Sequence, residues 1–340
     1  MPFVATDRPL EDFQFTFESY LDDSMRIEPD NGAHDVYDTK SLTDSIAMFR
    51  EELGRTYHAY RAGSYHFPND SPETERMEQQ YELLKLVMDG RLHLAPFSRS
   101  NPPRKVLDIA TGTGDWAIEM GDQYPEAEII GTDLSPIQPA FVPPNVRFFI
   151  EDSGEDWDYT PTFDFIHTRM TISCWSDMRR QIIQRAFDHL RPGGWLECQE
   201  MPIEMACDDD SLDAARSAGH PFVRWEDEFA AVSRLADRQA SIGPELKDWM
   251  REVGFVDVSE VMLKIPINGW PRDPRLKHLG MMWQRNLLEG MSGFSLGMFS
   301  RFLGRTVEEI EFALVDVRKS LFDRNLHAYH RFYVVIGRKP

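Results

Sequence analysis

The stretch that most constrains this chain is Val106–Ser135, VLDIATGTGDWAIEMGDQYPEAEIIGTDLS. Residues Lys105–Ile109 are apolar and β-branched enough for a buried parallel strand, Thr111–Gly114 interrupts it, and Asp115–Gln123 then carries Trp116, Ile118 and Met120 at helical spacing. A second strand is predicted at Glu128–Thr132, ending in Asp133. Strand, glycine-bearing turn, helix and a second strand closed by an acid form the opening unit of a nucleotide-binding α/β sheet, where that acid accepts the ribose hydroxyls. Asp133 follows Asp108 by 25 residues, close to the spacing that such a unit requires.

The alternation continues downstream. NVRFFI at Asn145–Ile150 reads as a third strand leading into Glu151–Asp152, and FDFIH at Phe163–His167 as a fourth. Met178–Leu190 is amphipathic, with Ile182, Ile183, Ala186, Phe187 and Leu190 on one face; Arg191–Pro192–Gly193–Gly194 stops it, and Trp195–Gln199 makes a fifth strand. Such alternation predicts a parallel sheet with right-handed crossovers. Beyond Glu200, Ser211–Gln239 reads as helical with Phe222, Trp225 and Phe229 as anchors, and Pro244–Val253 as a short helix closed by Gly254. Val256–Ile267 and Arg331–Gly337 are expected to pair antiparallel, while helices between them, including Leu279–Met291 and Val307–Leu326, form a lobe over the sheet's C-terminal edge.

Ahead of the sheet, residues 1–45 are acidic with little apolar periodicity and read as a partly disordered arm. Ile46, Phe49, Leu53 and Tyr57 recur at helical spacing behind Thr43–Asp44–Ser45, and a further helix starting near Pro72 carries Met77, Tyr81, Leu84, Val87 and Met88. The expected organisation is an arm at 1–45, a helical lid at 46–100, and a core at 101–340 with helical insertions at about 205–240 and 268–328.

Composition excludes several classes. A formal net charge of −20 without clustered Lys and Arg argues against nucleic acid and anionic membranes as partners. No apolar run approaches the roughly 20 residues that span a bilayer, and MPFVATDRPLEDF has the pattern of neither a secretory nor a transit peptide. Cys174, Cys198 and Cys207 form no CxxC, so neither a disulfide framework nor a metal site is expected. A soluble protein of a reducing compartment, cytoplasmic or nuclear, fits these features.

Ligands of open α/β sheets sit outside the carboxyl ends of the strands, so Asp108–Gly114, Asp133, Asp152 and His167–Arg169 should converge on one rim. In the first loop Gly112 and Gly114 let backbone approach a ligand, with Ala110 where a glycine is usual. The loop has no lysine for a phosphate-binding P-loop; the dinucleotide pattern would place a glycine at Ala117, though alanine is tolerated there. A ligand with ribose and adenine but no phosphate wants two acids, and Asp133 and Asp152 supply them; their charge suits a sulfonium better than a pyrophosphate. Each acid alone reads equally well as a solvated loop carboxylate, and it is their register with the glycines and strand ends that favours a site.

The succession VLDIATGTGDWAIEM, AEIIGTDLSPIQPAFVPPNVRF, FDFIHTRM and LRPGGWLECQE resembles the seven-stranded S-adenosylmethionine-dependent methyltransferases, and more narrowly the fungal LaeA-like group of secondary-metabolism regulators and biosynthetic methyltransferases. YHAYRAGSYHFPND and the ending GRKP extend the resemblance over residues 45 to 340. It implies an α/β, Rossmann-like, mostly parallel seven-stranded sheet whose last strand is antiparallel, with an N-terminal helical lid and a C-terminal helical insertion. It also implies S-adenosyl-L-methionine as cofactor and a small-molecule secondary metabolite as methyl acceptor. Asp108, Gly112 and Gly114 would surround the methionine part, Asp133 would take the ribose and Asp152 with Ser153 the adenine, with Ala110 and Leu134 completing the cofactor set.

Tyr57, Tyr60 and Arg61 are lid candidates, Arg61 as the partner of the cofactor's carboxylate. His167 and Arg169 are the catalytic candidates, and Glu200, His220 and Trp225 the substrate candidates. Cys174 has no visible activating partner for a nucleophilic thiol. Two rival readings stand beside the enzyme: a regulatory subunit acting through a protein partner, and an enzyme using the cofactor for non-methyl chemistry.

Overall fold

The computed structural model describes residues 49–160 and 162–340. It opens with an antiparallel hairpin, β1 (Arg50–Glu52) and β2 (Arg55–Tyr57), where sequence spacing predicts a helix through Phe49, Leu53 and Tyr57. Leu53 and Gly54 both have positive φ, 55° and 72°, and two such central residues make the tight turn that matches the twist of a hairpin. The arm at 1–45, and Ile46 with its cap, lie outside the described residues. Helix α1 (Ser71–Val87) forms as expected, because Asp70 accepts the Glu73 amide and a proline occupies the first turn. Asp70 also holds Arg55 of the hairpin through two hydrogen bonds of 2.5 and 2.6 Å.

The core follows the predicted alternation: β3 (Lys105–Ile109), α2 (Asp115–Gln123), β4 (Glu128–Asp133), β5 (Val146–Ile150) and β6 (Phe163–Arg169). A π-helical turn at Arg179–Gln184 runs into α3 (Arg185–His189), and β7 (Leu190–Glu200) begins directly after it. The region expected as one helix at 211–239 is two, α4 (Ser211–Ser217) and α5 (Pro221–Leu235), separated by Gly219 at φ 70° and by a proline that cannot extend α4. Then come α6 (Leu246–Val253), β8 (Val256–Pro266), α7 (Pro274–Leu303), α8 (Val307–Ser320) and β9 (Tyr329–Arg338). Strand order in the seven-stranded sheet is β5-β4-β3-β6-β7-β9-β8, with β9 antiparallel to both neighbours and the other pairs parallel. This is the α/β, mostly parallel sheet with an antiparallel last strand that the sequence implies.

Helices α1, α5, α7 and α8 share one apolar cluster with β9, including Leu83, Leu84, Phe222, Phe229, Leu287, Met291, Leu314 and Phe332. Each such side chain contributes about 1.5–3 kcal/mol when fully buried, so the later helices are held to α1 as well as to the sheet. A close approach falls at Gly297 of α7, where a Cβ would stand 2.3 Å from the His66 carbonyl oxygen. The segment entering α1 therefore crosses α7 in near backbone contact. No helix among the described residues is long and apolar enough to cross a membrane.

Candidate functional site

Parallel pairing of β3 with β6 puts Asp108 directly beside His167. His167 Nδ1 donates to Asp108 Oδ1 at 2.7 Å, and Thr111 Oγ1 donates to Asp108 Oδ2 at 2.5 Å. The Trp116 indole, on the first turn of α2, lies flat on the imidazole with ring centroids 3.7 Å apart, and its own N–H donates to the Leu92 carbonyl at 2.9 Å. Burial pushes the His167 pKa down to about 4 although Asp108 pulls the other way, so the ring is neutral at pH 7. Its Nε2 is buried without a hydrogen-bond partner among the described residues.

The loop after β3 adopts the left-handed backbone that its small residues permit, with φ of 54° at Ala110, 59° at Gly112 and 85° at Gly114. Alanine at the first position tolerates this at a cost of about 1–2 kcal/mol. Across the loop, Asp133 accepts the Gly112 amide at Oδ2 and the Ser135 amide at Oδ1, both at 2.9 Å. Burial raises the Asp133 pKa to about 6, the two amides acting against it. The acidic loop after β5 is fastened from α3: Arg185 Nη1 donates to the Gly154 carbonyl at 2.5 Å, and Asp152 Oδ1 accepts the Gly154 amide at 3.0 Å.

These elements enclose a cleft of about 1280 Å³, its open mouth included, which Asp108, Ala110, Gly112, Asp133, Leu134, Asp152, Ser153, His167 and Arg169 all line. The predicted convergence on one rim is therefore present for nine of the sequence candidates. Gly114 is set back as the cap of α2, and a Cβ there would stand 2.5 Å from the Phe148 ring.

Tyr57 and Arg61 are not at the cleft. Tyr57 is buried with the Arg301 guanidinium 4.8 Å from its ring, because the hairpin turns it toward α7. Arg61 lies half exposed, 3.9 Å from Glu155, its guanidinium near the Tyr60 ring. The lid residues that line the cleft come later, Tyr65, Phe67, Glu73, Arg76 and Gln80 among them. Arg76 and Glu73 stand three apart on α1 and form a buried pair, with Arg76 Nη2 2.6 Å from Glu73 Oε1. That i, i+3 acid and base was a readable signal, but on an amphipathic helix it looks like a surface pair.

Among the described residues, Arg169 is the one cation of this rim with a guanidinium nitrogen left unpartnered. Its Nε donates to Gln199 at 2.7 Å and its plane lies 5.4 Å from the Tyr81 ring, while Nη1 is buried with no partner among the described residues. Glu200 is turned away from the cleft, accepting from Thr168 Oγ1, Thr171 N and Thr171 Oγ1 at 2.7–2.8 Å, and burial raises its pKa to about 7. It braces the turn after β6 from behind.

A second chamber of about 650 Å³ adjoins the first, sharing Tyr65, Phe67, Arg76, Gln80 and Met170 as its wall with the cleft. Trp225 lines it, whereas His220, at the start of α5 with Asp323 3.8 Å away, lines neither space. Of the sequence candidates Trp225 alone lies on this chamber, because its walls are brought together from the segment entering α1, α1 itself, the turns after β6 and β7, α5, α7 and β9.

Comparison with known proteins matches residues 77–260 to the methyltransferase domain family. The chain is 38% identical over 320 residues to methyltransferase pytC of Aspergillus terreus, covering 93% of this chain and 96% of that protein. It is 34% identical to the probable methyltransferase tdiE of Emericella nidulans, covering 88% and 92%. It is 32% identical to the secondary metabolism regulator LAE1 of Cochliobolus heterostrophus, covering 85% and 94%.

Proposed function

Because the chain belongs to the S-adenosylmethionine-dependent methyltransferases of fungal secondary metabolism, we propose that it methylates a small-molecule acceptor held in the chamber beside its cofactor cleft. The observation that carries this reading is that the chamber adjoins the cleft, with Tyr65, Phe67, Arg76, Gln80 and Met170 lining both.

The residues of the cleft fit S-adenosylmethionine. Two acids suit the hydroxyls of a ribose and the amino group of an adenine, the loop offers backbone without bulk, and the unpartnered Arg169 Nη1 supplies the cation that a methionine carboxylate requires. In this reading Asp133 orients the ribose, Asp152 and Ser153 take the adenine, and Arg169 replaces Arg61 as the carboxylate's partner. His167 is a positioning residue: neutral and pinned by Trp116, it fixes the Asp108 carboxylate and with it the loop. When bound, the cofactor supplies an electrophilic methyl carbon. The protein's part is to exclude water and align the acceptor across the shared wall.

Calorimetric titration of the full chain with S-adenosylhomocysteine, followed by product formation against a panel of metabolites, tests this. Absence of binding at millimolar concentration would overturn it. The similarity to LAE1 favours a second reading, in which a protein partner matters more than catalysis. Deleting residues 1–45 separates them, since a self-contained enzyme keeps its activity and a regulator loses its partner in a pulldown.

A further inference from the structure

The chamber's walls have engaged almost all of their own polar atoms. Trp225 Nε1 donates to Ser295 Oγ and Trp283 Nε1 to His330 Nδ1, each at 2.9 Å, so both indole N–H groups are used within the protein. Because His330 Nδ1 accepts, its proton sits on Nε2, 3.2 Å from Glu226 Oε1, and neither ring nitrogen is left for a ligand. Arg76 is the remaining cationic side chain of the lining. Glu73 Oε1 lies 2.6 and 3.1 Å from its Nη2 and Nε, and Gln80 and Asn286 take its Nη1 at 2.6 and 2.8 Å. Among the described residues, no uncompensated charge therefore faces the space.

What does face it is apolar: the rings of Tyr65, Phe67, Trp225, Phe229, Trp283 and Phe294 line the chamber together with aliphatic side chains such as Ile172 and Leu287. Ring faces prefer offset or edge contact with another flat π system, worth about 0.5–1.5 kcal/mol per pair beyond burial. Tyr65 sits on the shared wall, and its hydroxyl has no hydrogen-bond partner among the described residues. A ligand that covered this hydroxyl without pairing it would leave it desolvated at a cost, so the group is suited to a polar atom on a ligand.

We propose that the chamber takes its acceptor as an uncharged, flat, fused-ring aromatic or conjugated molecule, with Tyr65 Oη reading a polar atom on the edge beside the cofactor cleft. This rests on the methyltransferase reading above and adds the substrate class. An anion or cation would have to shed its hydration with no counter-charge to meet it. A saturated molecule of equal size would lose the ring contacts.

The probe is 2-naphthol, titrated by tryptophan fluorescence and calorimetry into the full chain saturated with S-adenosylhomocysteine. Decahydro-2-naphthol keeps its size without its planarity, and naphthalene-2-sulfonate keeps the rings but adds a charge. We expect 2-naphthol to bind about tenfold or more tightly than either. Leu287→Trp, which fills the chamber, should remove that binding and leave the affinity for S-adenosylhomocysteine within about twofold of wild type; Ile172→Trp serves if Leu287→Trp does not fold. Tyr65→Phe should weaken 2-naphthol about fivefold and leave naphthalene unaffected. The proposal is overturned if 2-naphthol fails to bind the loaded protein, binds no better than its analogues, or still binds a folded filling variant. Wild-type protein that does not take up S-adenosylhomocysteine overturns instead the methyltransferase reading.

Discussion

Trp116 and His167 lie face to face, ring centroids 3.7 Å apart and planes 5° from parallel. The stack joins the helix that opens the nucleotide unit to a strand 51 residues further along the chain. Through the His167 to Asp108 hydrogen bond it also sets the carboxylate at the start of the loop.

Truncating this stack has a measurable cost. Trp116→Ala should destabilise the protein by about 3–5 kcal/mol in urea unfolding, as for other buried large-to-small changes. His167→Phe keeps the stack but leaves Asp108 Oδ1 without its donor, a loss of about 1–3 kcal/mol. Burial holds the His167 pKa at about 4 in the folded protein, below the ordinary 6.5 of a histidine, so its contribution is present above pH 6.5 and lost as pH falls toward 4. The gap between wild type and His167→Phe should therefore narrow over that window, and a gap independent of pH would contradict the neutral-histidine assignment.

Arg169→Met should weaken S-adenosylhomocysteine about tenfold to a hundredfold, the range for a charge-assisted hydrogen bond. Methylthioadenosine, which lacks the amino-acid end, should bind wild type and variant alike; equal losses for both ligands would mean that Arg169 acts only structurally. Arg61→Ala should change neither affinity, because Arg61 lies half exposed beside Glu155.

With Asp133 as the proposed ribose ligand, cofactor binding should depend on pH. Burial holds its pKa near 6 in the free protein, and ribose hydroxyls donating to the carboxylate favour the ionised form. Binding should release a proton near pH 6, and affinity should fall as pH drops below that value. Calorimetry in buffers of different ionisation enthalpy reads the proton directly. Asp133→Asn should abolish the release and cost about tenfold in affinity.

Gly114→Ala should be among the worst single changes at the site. It places a side chain at φ 85° and a Cβ 2.5 Å from Phe148, together roughly 2–4 kcal/mol. Adding Phe148→Leu should recover only the packing part, since the backbone strain stays.

Some of the site was legible before any contact was known. The acids Asp108, Asp133 and Asp152 and the glycine loop follow from strand ends, and strand ends follow from local apolar runs. The lid was not legible in the same way. Leu53 and Tyr57 keep helical spacing, yet Leu53–Gly54 takes a hairpin turn, and that single turn carries Tyr57 away to α7. Arg61 moves off the cleft with it. Glu200 was placed at the right strand end and faces the wrong way, because Thr168 and Thr171 bind it from behind.

By itself the sequence determined the β3–α2–β4 unit, the parallel alternation to residue 200 and the acids and glycines of the rim, because each depends on residues near one another in the chain and on a periodicity that local sterics enforce. Only the tertiary structure decided what stands opposite that rim. The pairing of Asp108 with His167, the stack of Trp116, the unpartnered Nη1 of Arg169 and the aromatic chamber all arise from sheet register and helix packing between distant segments. Contacts of that kind leave no periodic mark on the residues that make them.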